Sequence, residues 1–288
     1  MASMSPGTKL DLAELGPIDR IIDSALAEDL DGGDVTTRAT VAADQTAAGM
    51  IIAKQTLVCA GGPVVARVFE RVDPSVEVEL MADEADVLVP GGEIVRLSGN
   101  ARSILVGERT ALNLLARACG VATLTAAYVE AGAGKVRIAD TRKTMPGLRA
   151  LDRYAVRRGG GHNHRNDLGG GVLIKENHIR AAGSIKEAVH AAREHAAHAL
   201  RIQCEVTDVD ELEEALGAGA DAVLLDNMSD AAIAESVKIA RNRAVIEASG
   251  GVTLERIPRL VELGVDVISV GALTHSAPAA DVSLLFEV

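Results

Sequence analysis

The sequence predicts an α/β protein in two parts, a small β-rich domain followed by parallel β/α units that favour a closed β/α barrel over a doubly wound sheet. Three observations carry this reading. After Lys135, short β-branched runs alternate with amphipathic helical patterns, the grammar of parallel strands joined by helices. The later repeats, measured at Glu205, Asp226, Ser249 and Gly271, lie only 21–23 residues apart, about the minimum for a strand, a helix and two loops. Each of these strands also ends on polar or glycine residues, as expected where strand ends converge on one functional rim.

Taken in order, Pro17 to Leu30 places Ile18, Ile21, Ile22, Ala25 and Leu26 at the spacing of a one-sided helix. The cluster Asp31-Gly32-Gly33-Asp34 is a turn, followed by Val35-Thr36-Thr37. Residues 46–60 and 75–81 read as strands, with a helix near Gly62 to Val72 between them, and Val87 to Val95 reads as turn and strand. A firm helical pattern runs from Ala101 to Cys119. Gly120 is expected to end or break it before a second helix, Val121 to Ala131, and the domain boundary is expected near there. Six strands follow: Val136–Ala139, Val172–Ile174, Ile202–Cys204, Ala222–Leu225, Ala244–Ile246 and Val267–Val270. Helical patterns at Ile185–His195, Glu211–Leu216, Ala231–Ala240 and Leu254–Leu263 fill the gaps. Six strands are fewer than the eight of a full barrel.

Charge is unevenly distributed. The chain carries a formal net charge of -12, yet residues 135–180 hold 11 Lys/Arg against 4 Asp/Glu. This basic island within an acidic protein, threaded with glycine and histidine, points to a pocket for something small and strongly anionic. Nucleic acid is excluded as a first choice: the pI is near 5.1, and Phe69, Phe286, Tyr128 and Tyr154 are the only aromatic side chains available for base stacking. Uncharged runs such as Ala118 to Val129 are far shorter than a membrane span needs, and Met1 to Gly16 has no apolar signal core. Cys59, Cys119 and Cys204 are widely separated, which fits buried thiols in a reducing cytoplasm rather than a disulfide framework or zinc site.

The strand ends deliver Asp140-Thr141-Arg142-Lys143, Lys175-Glu176-Asn177, Glu205, Asp226-Asn227, Ser249-Gly250-Gly251 and Gly271. Arg142, Arg165 and Lys175, with His164, suit a carboxylate clamp, although any one arginine alone equally suits a surface ion pair. Lys175 has a second reading as a Schiff-base amine. Glu205 and Asp226, on adjacent strand ends, suit a hard divalent cation or a pair of ribose hydroxyls, or else structural ion pairs. Ser249-Gly250-Gly251 and Gly271 to His275 fall after the last two strands, where barrels commonly bind phosphate, but a lone Ser-Gly-Gly also describes an ordinary turn. No nucleophile elbow, Walker loop or dinucleotide-binding glycine motif is present. A non-catalytic anion-binding protein fits the same charges.

Taken together, the motifs are more specific. Thr141-Arg142-Lys143-Thr144-Met145-Pro146-Gly147, Asn163-His164-Arg165 and Leu173-Ile174-Lys175-Glu176-Asn177-His178 resemble the quinolinate phosphoribosyltransferase family, the carboxylating nicotinate-nucleotide pyrophosphorylases of NAD biosynthesis. The resemblance extends through Asp34-Val35-Thr36-Thr37, Glu108 to Asn113, Leu224 to Asn227, Glu247 to Gly251 and Gly271 to His275. It implies an N-terminal α/β sandwich over residues 1–117, completed by 277–288, and an incomplete parallel β/α barrel of about six or seven strands over 118–276. It also implies Mg2+-dependent phosphoribosyl transfer from phosphoribosyl pyrophosphate to quinolinate, in a homodimer or larger assembly with shared active sites. Arg109 would reach the neighbouring subunit's site, while Arg142, His164, Arg165 and Lys175 would hold the two quinolinate carboxylates. Lys143, Glu205 and Asp226 would handle the sugar pyrophosphate, the two acids also meeting Mg2+ directly or through water. Ser249, Gly250, Gly271 and His275 would take the 5′-phosphate. The chain departs from the family at Gln203, where the family usually carries a first Glu before the functional one, here Glu205; any charge role at 203 is lost.

Overall fold

The computed structural model describes residues 16–287, so the polar stretch from Met1 lies outside the described residues apart from Gly16. Two compact units separate. The first comprises the chain up to Ala126, Thr144–Gly160 and the segment from Ser276; the second comprises Ala127–Lys143 and Gly161–His275.

The first unit is built on an antiparallel sheet in the order β12-β1-β5-β3, from β1 (Thr46–Ala53), β3 (Glu77–Leu80), β5 (Glu93–Asn100) and β12 (Val282–Glu287). Along β1 the pleat buries Ala47, Gly49, Ile51 and Ala53, so every second side chain faces the core. A two-residue pair, β2 (Leu57–Val58) with β4 (Val87–Leu88), lies beside it in sequence. Helix α1 (Ile18–Leu30) buries Ile18, Ile21 and Ile22, and Asp19 on its outer side accepts two hydrogen bonds from Arg67. The Val35-Thr36-Thr37 segment is itself helical: α2 (Val35–Thr40) starts at Asp34, whose carboxylate accepts from the Thr37 amide. Helix α3 (Gly62–Val72) buries Val64, Val65, Val68 and Phe69. Its N-terminal amides at Gly61 and Gly62 donate to Glu84, which also accepts from the Tyr154 hydroxyl.

Helix α4 runs unbroken from Ala101 to Ala131, which corrects the expectation that Gly120 divides it. A Cβ at Gly120 would stand 2.0 Å from the Pro278 carbonyl oxygen. The residue is glycine because another strand of backbone crosses the helix there, and a helix of this length tolerates one such position at about 1 kcal/mol. By length and composition α4 is long and apolar enough to cross a bilayer. Its apolar residues Ala111, Leu115, Ala118, Cys119, Val121 and Ala122 are instead fully buried in the core.

Helix α5 (Arg149–Arg158) also belongs to this unit. Its Asp152, fully buried, pairs with Arg117 of α4 through two hydrogen bonds of 2.9 and 3.0 Å and accepts from the Met145 amide. The basic island is therefore divided. Arg149, Arg153, Arg157 and Arg158 lie on α5, and Arg157 and Arg158 stack on Tyr154, with guanidinium carbons 6.0 and 4.6 Å from the ring centre.

The second unit is a parallel sheet in the order β6-β11-β10-β9-β8-β7, from β6 (Arg137–Ala139), β7 (Val172–Ile174), β8 (Ile202–Val206), β9 (Ala222–Asp226), β10 (Val245–Ser249) and β11 (Val267–Ser269). Its helices are α6 (Glu176–Ala182), α7 (Ile185–His195), α8 (Val209–Gly217), α9 (Asp230–Ala240), α10 (Ile257–Leu263) and the short α11 (Ala272–His275). The first strand, β6, pairs with the last, β11, so the two strands left at the edges of the sheet are β6 and β7. A single parallel bridge from Ala139 to His162 adds a rudimentary seventh member on the other side of β6. No pairing joins it to β7 among the described residues, so the barrel is incomplete, as expected.

If Gly120 is set by close approach rather than by a helix end, Gly120→Ala should lower stability despite the better helix propensity of alanine. Overpacking against backbone costs about 1–3 kcal/mol, more than the roughly 1 kcal/mol gained in propensity. Thermal unfolding checks the sign.

Candidate active site

Strand register decides which residues of the second unit share a face. Glu205 of β8 pairs with Leu224 of β9, and Leu224 pairs with Glu247 of β10, while Asp226 pairs with Ser249. Paired residues point to the same side, and so do residues two apart along a strand. Gln203, Glu205, Asp226, Glu247, Ser249 and Ser269 thus occupy one face. The alternate residues Ile202, Cys204, Val206, Val223, Leu225, Ile246, Ala248 and Ile268 are buried on the other. A polar interior face within an apolar shell is a site rather than a packed core.

The cations approach this face from the loops. Arg142 and Lys143 follow β6, and the buried Arg142 Nε has no hydrogen-bond partner among the described residues. Arg165 donates through Nη1 to the Gly171 carbonyl at 2.9 Å. Burial, and then the Arg142 charge, hold the Arg165 guanidinium below its ordinary pKa, which places two cations in one electrostatic neighbourhood. Such an arrangement is unfavourable until an anion enters it.

The Asn163-His164-Arg165 loop is gripped by the fully buried Asp140, which accepts from Asn163 Nδ2 at 2.7 Å and from the His164 amide at 2.6 Å. Lys175 is the residue preceding α6; its amide donates to His178 Nδ1 at 2.9 Å, and its Nζ lies 2.5 Å from Glu205 Oε2. Its side chain is 48% exposed and faces a carboxylate. Those surroundings are the reverse of the apolar pocket that makes a lysine a nucleophile, which tells against the Schiff-base reading.

At the turn after β11, a Cβ at Gly271 would meet both His275 Cδ2 and Lys143 Cδ at 3.1 Å, so glycine lets these two side chains converge. The Thr274 hydroxyl donates to the Lys143 carbonyl at 2.9 Å, fastening the loop after β6 to the start of α11. At Gly250 a Cβ would fall 2.3 Å from Asn227 Oδ1, and the φ of 90° independently requires glycine. Asn227, itself left-handed at φ 54°, donates from Nδ2 to Asp226 at 3.0 Å and turns that carboxylate. Lys143, Gly271 and His275 are therefore brought together, as are Asp226, Ser249 and Gly250. Arg109 belongs to the first unit, where it is exposed on α4.

Glu247 was not singled out from the residues. It lies on β10, 5% exposed, and accepts from Gln203 Nε2 at 2.8 Å. His164 Nε2 stands 3.5 Å from the same oxygen. Burial works to raise its pKa, but hydrogen bonds from His164, Ser269 and Gln203 outweigh it and hold the carboxyl below the ordinary range. Its position two residues before Ser249 is the only signal that could have found it.

Family models described as quinolinate phosphoribosyl transferase, N-terminal and C-terminal domains, match residues 34–119 and 121–285. The chain is 40% identical over 266 residues to a probable carboxylating nicotinate-nucleotide pyrophosphorylase of Bacillus subtilis, covering 92% of each chain. It is also 40% identical over 270 residues to the human carboxylating nicotinate-nucleotide pyrophosphorylase, covering 92% of this chain and 90% of that one. A crystal structure of NadC from Streptococcus pyogenes superposes with a TM-score of 0.91 at 38% identity, covering 97% of this chain and 99% of that one. The chain therefore belongs to the quinolinate phosphoribosyltransferase family, as a phosphoribosyltransferase of the carboxylating nicotinate-nucleotide pyrophosphorylase type.

Proposed function

We propose that the protein transfers a phosphoribosyl group from phosphoribosyl pyrophosphate to quinolinate, with Mg2+, and releases nicotinate mononucleotide, pyrophosphate and CO2. The observation that carries this reading is the register that sets Glu205, Asp226 and Ser249 on one face beneath the cationic loops. Two carboxylates of the acceptor suit the Arg142–Arg165 pair and Lys175, because planar guanidinium forks meet carboxylates bidentately, with His164 in the loop that carries Arg165. Lys143, His275 and the amides around Gly250 and Gly271 suit the sugar's phosphates.

In this scheme the pyridine nitrogen attacks C1 of the ribose as pyrophosphate leaves, so no protein nucleophile is required. Positive charge develops on the sugar, and Glu205 and Asp226 are the carboxylates placed to stabilise it. The ring nitrogen, now a pyridinium, accepts the electrons of the breaking C–C bond when CO2 leaves, and solvent supplies the proton to that carbon. The arginines then hold the remaining carboxylate.

Residues present fit a hard divalent cation that arrives with pyrophosphate. Among the described residues no group of three or more potential ligands forms a closed cage, whereas Mg2+ typically takes one or two carboxylates plus phosphate and water. Glu205 and Asp226 provide those two. The chemistry a bound Mg2+ supplies is charge neutralisation on the departing pyrophosphate.

The same reading makes the protein a homodimer or larger assembly in which the exposed Arg109 completes the neighbouring site. It also places the protein in the cytoplasm, in keeping with three buried, unbridged thiols, two of them pushed by burial to about 12.

Purified protein given quinolinate, phosphoribosyl pyrophosphate and Mg2+ should release pyrophosphate, and chelation should stop it; no pyrophosphate from the complete mixture would overturn the assignment. Lys175→Ala should lower kcat/KM by roughly tenfold or more, the effect of losing one charge-assisted hydrogen bond to an acceptor carboxylate. Arg109→Ala should be inactive alone, yet mixing it with Lys175→Ala should recover activity in hybrid assemblies. Absence of recovery despite demonstrated subunit exchange would count against a shared site.

A further inference from the structure

The hydrogen bonds around His164 determine which of its nitrogens carries the proton. Its Nδ1 accepts from the Arg165 amide at 2.8 Å, so that nitrogen presents a lone pair. The ring proton then resides on Nε2, which faces Glu247 Oε2 at 3.5 Å. Both ring nitrogens are thereby engaged inside the protein, and the ring sits between a buried carboxylate and the backbone of Arg165.

Glu247 is suited to that arrangement by chemistry as well as position. An ionised carboxylate only accepts hydrogen bonds, so it cannot present a donor to the imidazole and select the other tautomer. It is fixed from two further strands, by Gln203 of β8 and by the Ser269 hydroxyl of β11. Gln203 supplies a neutral donor at 2.8 Å; a second carboxylate there would oppose Glu247 at hydrogen-bonding distance. One oxygen of Glu247, Oε1, is buried with no hydrogen-bond partner among the described residues. The Glu247 partners Gln203, Ser269 and His164 favour the ionised carboxyl and so stabilise the folded chain.

We propose that Glu247 is a positioning residue for the acceptor site: it holds His164 as the Nε2–H tautomer, so that Nδ1 receives the Arg165 amide and sets Arg165 in the site. Asp140 grips the backbone of the same loop, and Glu247 grips its ring. His164 then acts on the substrate through Arg165 rather than by its own ring nitrogens, a sharper role than the carboxylate contact expected from the family resemblance.

The test uses the full-length protein. Nitrogen-15 NMR of the histidine rings, assigned by the loss of one signal set in His164→Asn, should show His164 in the Nε2–H form without any ligand. In the isosteric Glu247→Gln the amide can turn its NH2 to the ring, so the Nδ1–H form should appear. The thermal midpoint should fall, because a buried carboxylate stabilised by its partners is neutralised. Quinolinate affinity by calorimetry should fall about tenfold, equivalent to losing one modest hydrogen bond, with phosphoribosyl pyrophosphate affinity unchanged.

A wild-type ring in the Nδ1–H form, or Glu247→Gln with unaltered tautomer and quinolinate affinity, overturns the proposal. Should Glu247→Gln not fold, two His164 variants decide. Asparagine offers an acceptor near Nδ1 and should retain more quinolinate affinity than glutamine, which mimics Nε2; the reverse order overturns it. The binding measurements rest on quinolinate being the acceptor. A wild-type protein that binds no quinolinate overturns that reading, while the ring spectra still decide the role of Glu247.

Discussion

The parallel register of β8, β9, β10 and β11 is the constraint on which the rest of the second unit depends. With a pleat of period two, a shift of one residue between any two strands would exchange the faces. Glu205, Asp226 and Glu247 would turn among the helices, and Cys204, Leu225 and Ile246 would turn into the site. The fully buried Cys204, Val206, Val223, Leu225 and Ile268 oppose such a slip, because each would lose its apolar surroundings. Apolar burial on one side of the sheet therefore holds the polar groups in place on the other. The pairing of β6 with β11 brings the loop carrying Arg142 and Lys143 beside Gly271 and His275, although well over a hundred residues separate them in the chain.

Charge within the site is arranged in opposed layers. Arg142 and Arg165 lie close enough for each to make the other less favourable, while carboxylates lie beneath them: Glu205 against Lys175, and Glu247 against His164. Neither layer is neutral alone. Under the proposed function, a dianionic acceptor would compensate the paired arginines through charge, in a protein with almost no aromatic rings to offer. Asp140 takes its hydrogen bonds from the segment that bears His164 and Arg165, so the cationic groups are presented from anchored backbone.

The first unit follows the same economy with glycine. Gly120 and Gly107 are points where helix α4 meets neighbouring groups closely: Pro278 backbone at one, the Phe69 ring at the other. A helix of 31 residues can then serve as the core of an antiparallel sheet unit, with its ion pair to Asp152 tying α5 to it. The same Asp152 accepts from the Met145 amide, which anchors the far end of the segment that begins with Arg142 and Lys143.

Much of this was legible in the sequence because it is local. Alternating β-branched and helical runs, the 21–23-residue spacing, and polar residues closing each strand all follow from short-range pattern. The motif residues Arg142, Lys143, Arg165, Lys175, Glu205, Asp226 and Gly250 could be named for the same reason. What only the tertiary structure decided depends on contacts distant in the chain. Gly120 reads as a helix end until Pro278 is seen crossing it. The basic island reads as one pocket until four of its arginines prove to lie on α5, in the other unit. Glu247 reads as an ordinary strand acid until Gln203, Ser269 and His164 are found around it. Sequence pattern determines which elements form and which faces they offer; through-space packing and the hydrogen-bonding needs of buried groups decide which of those residues meet.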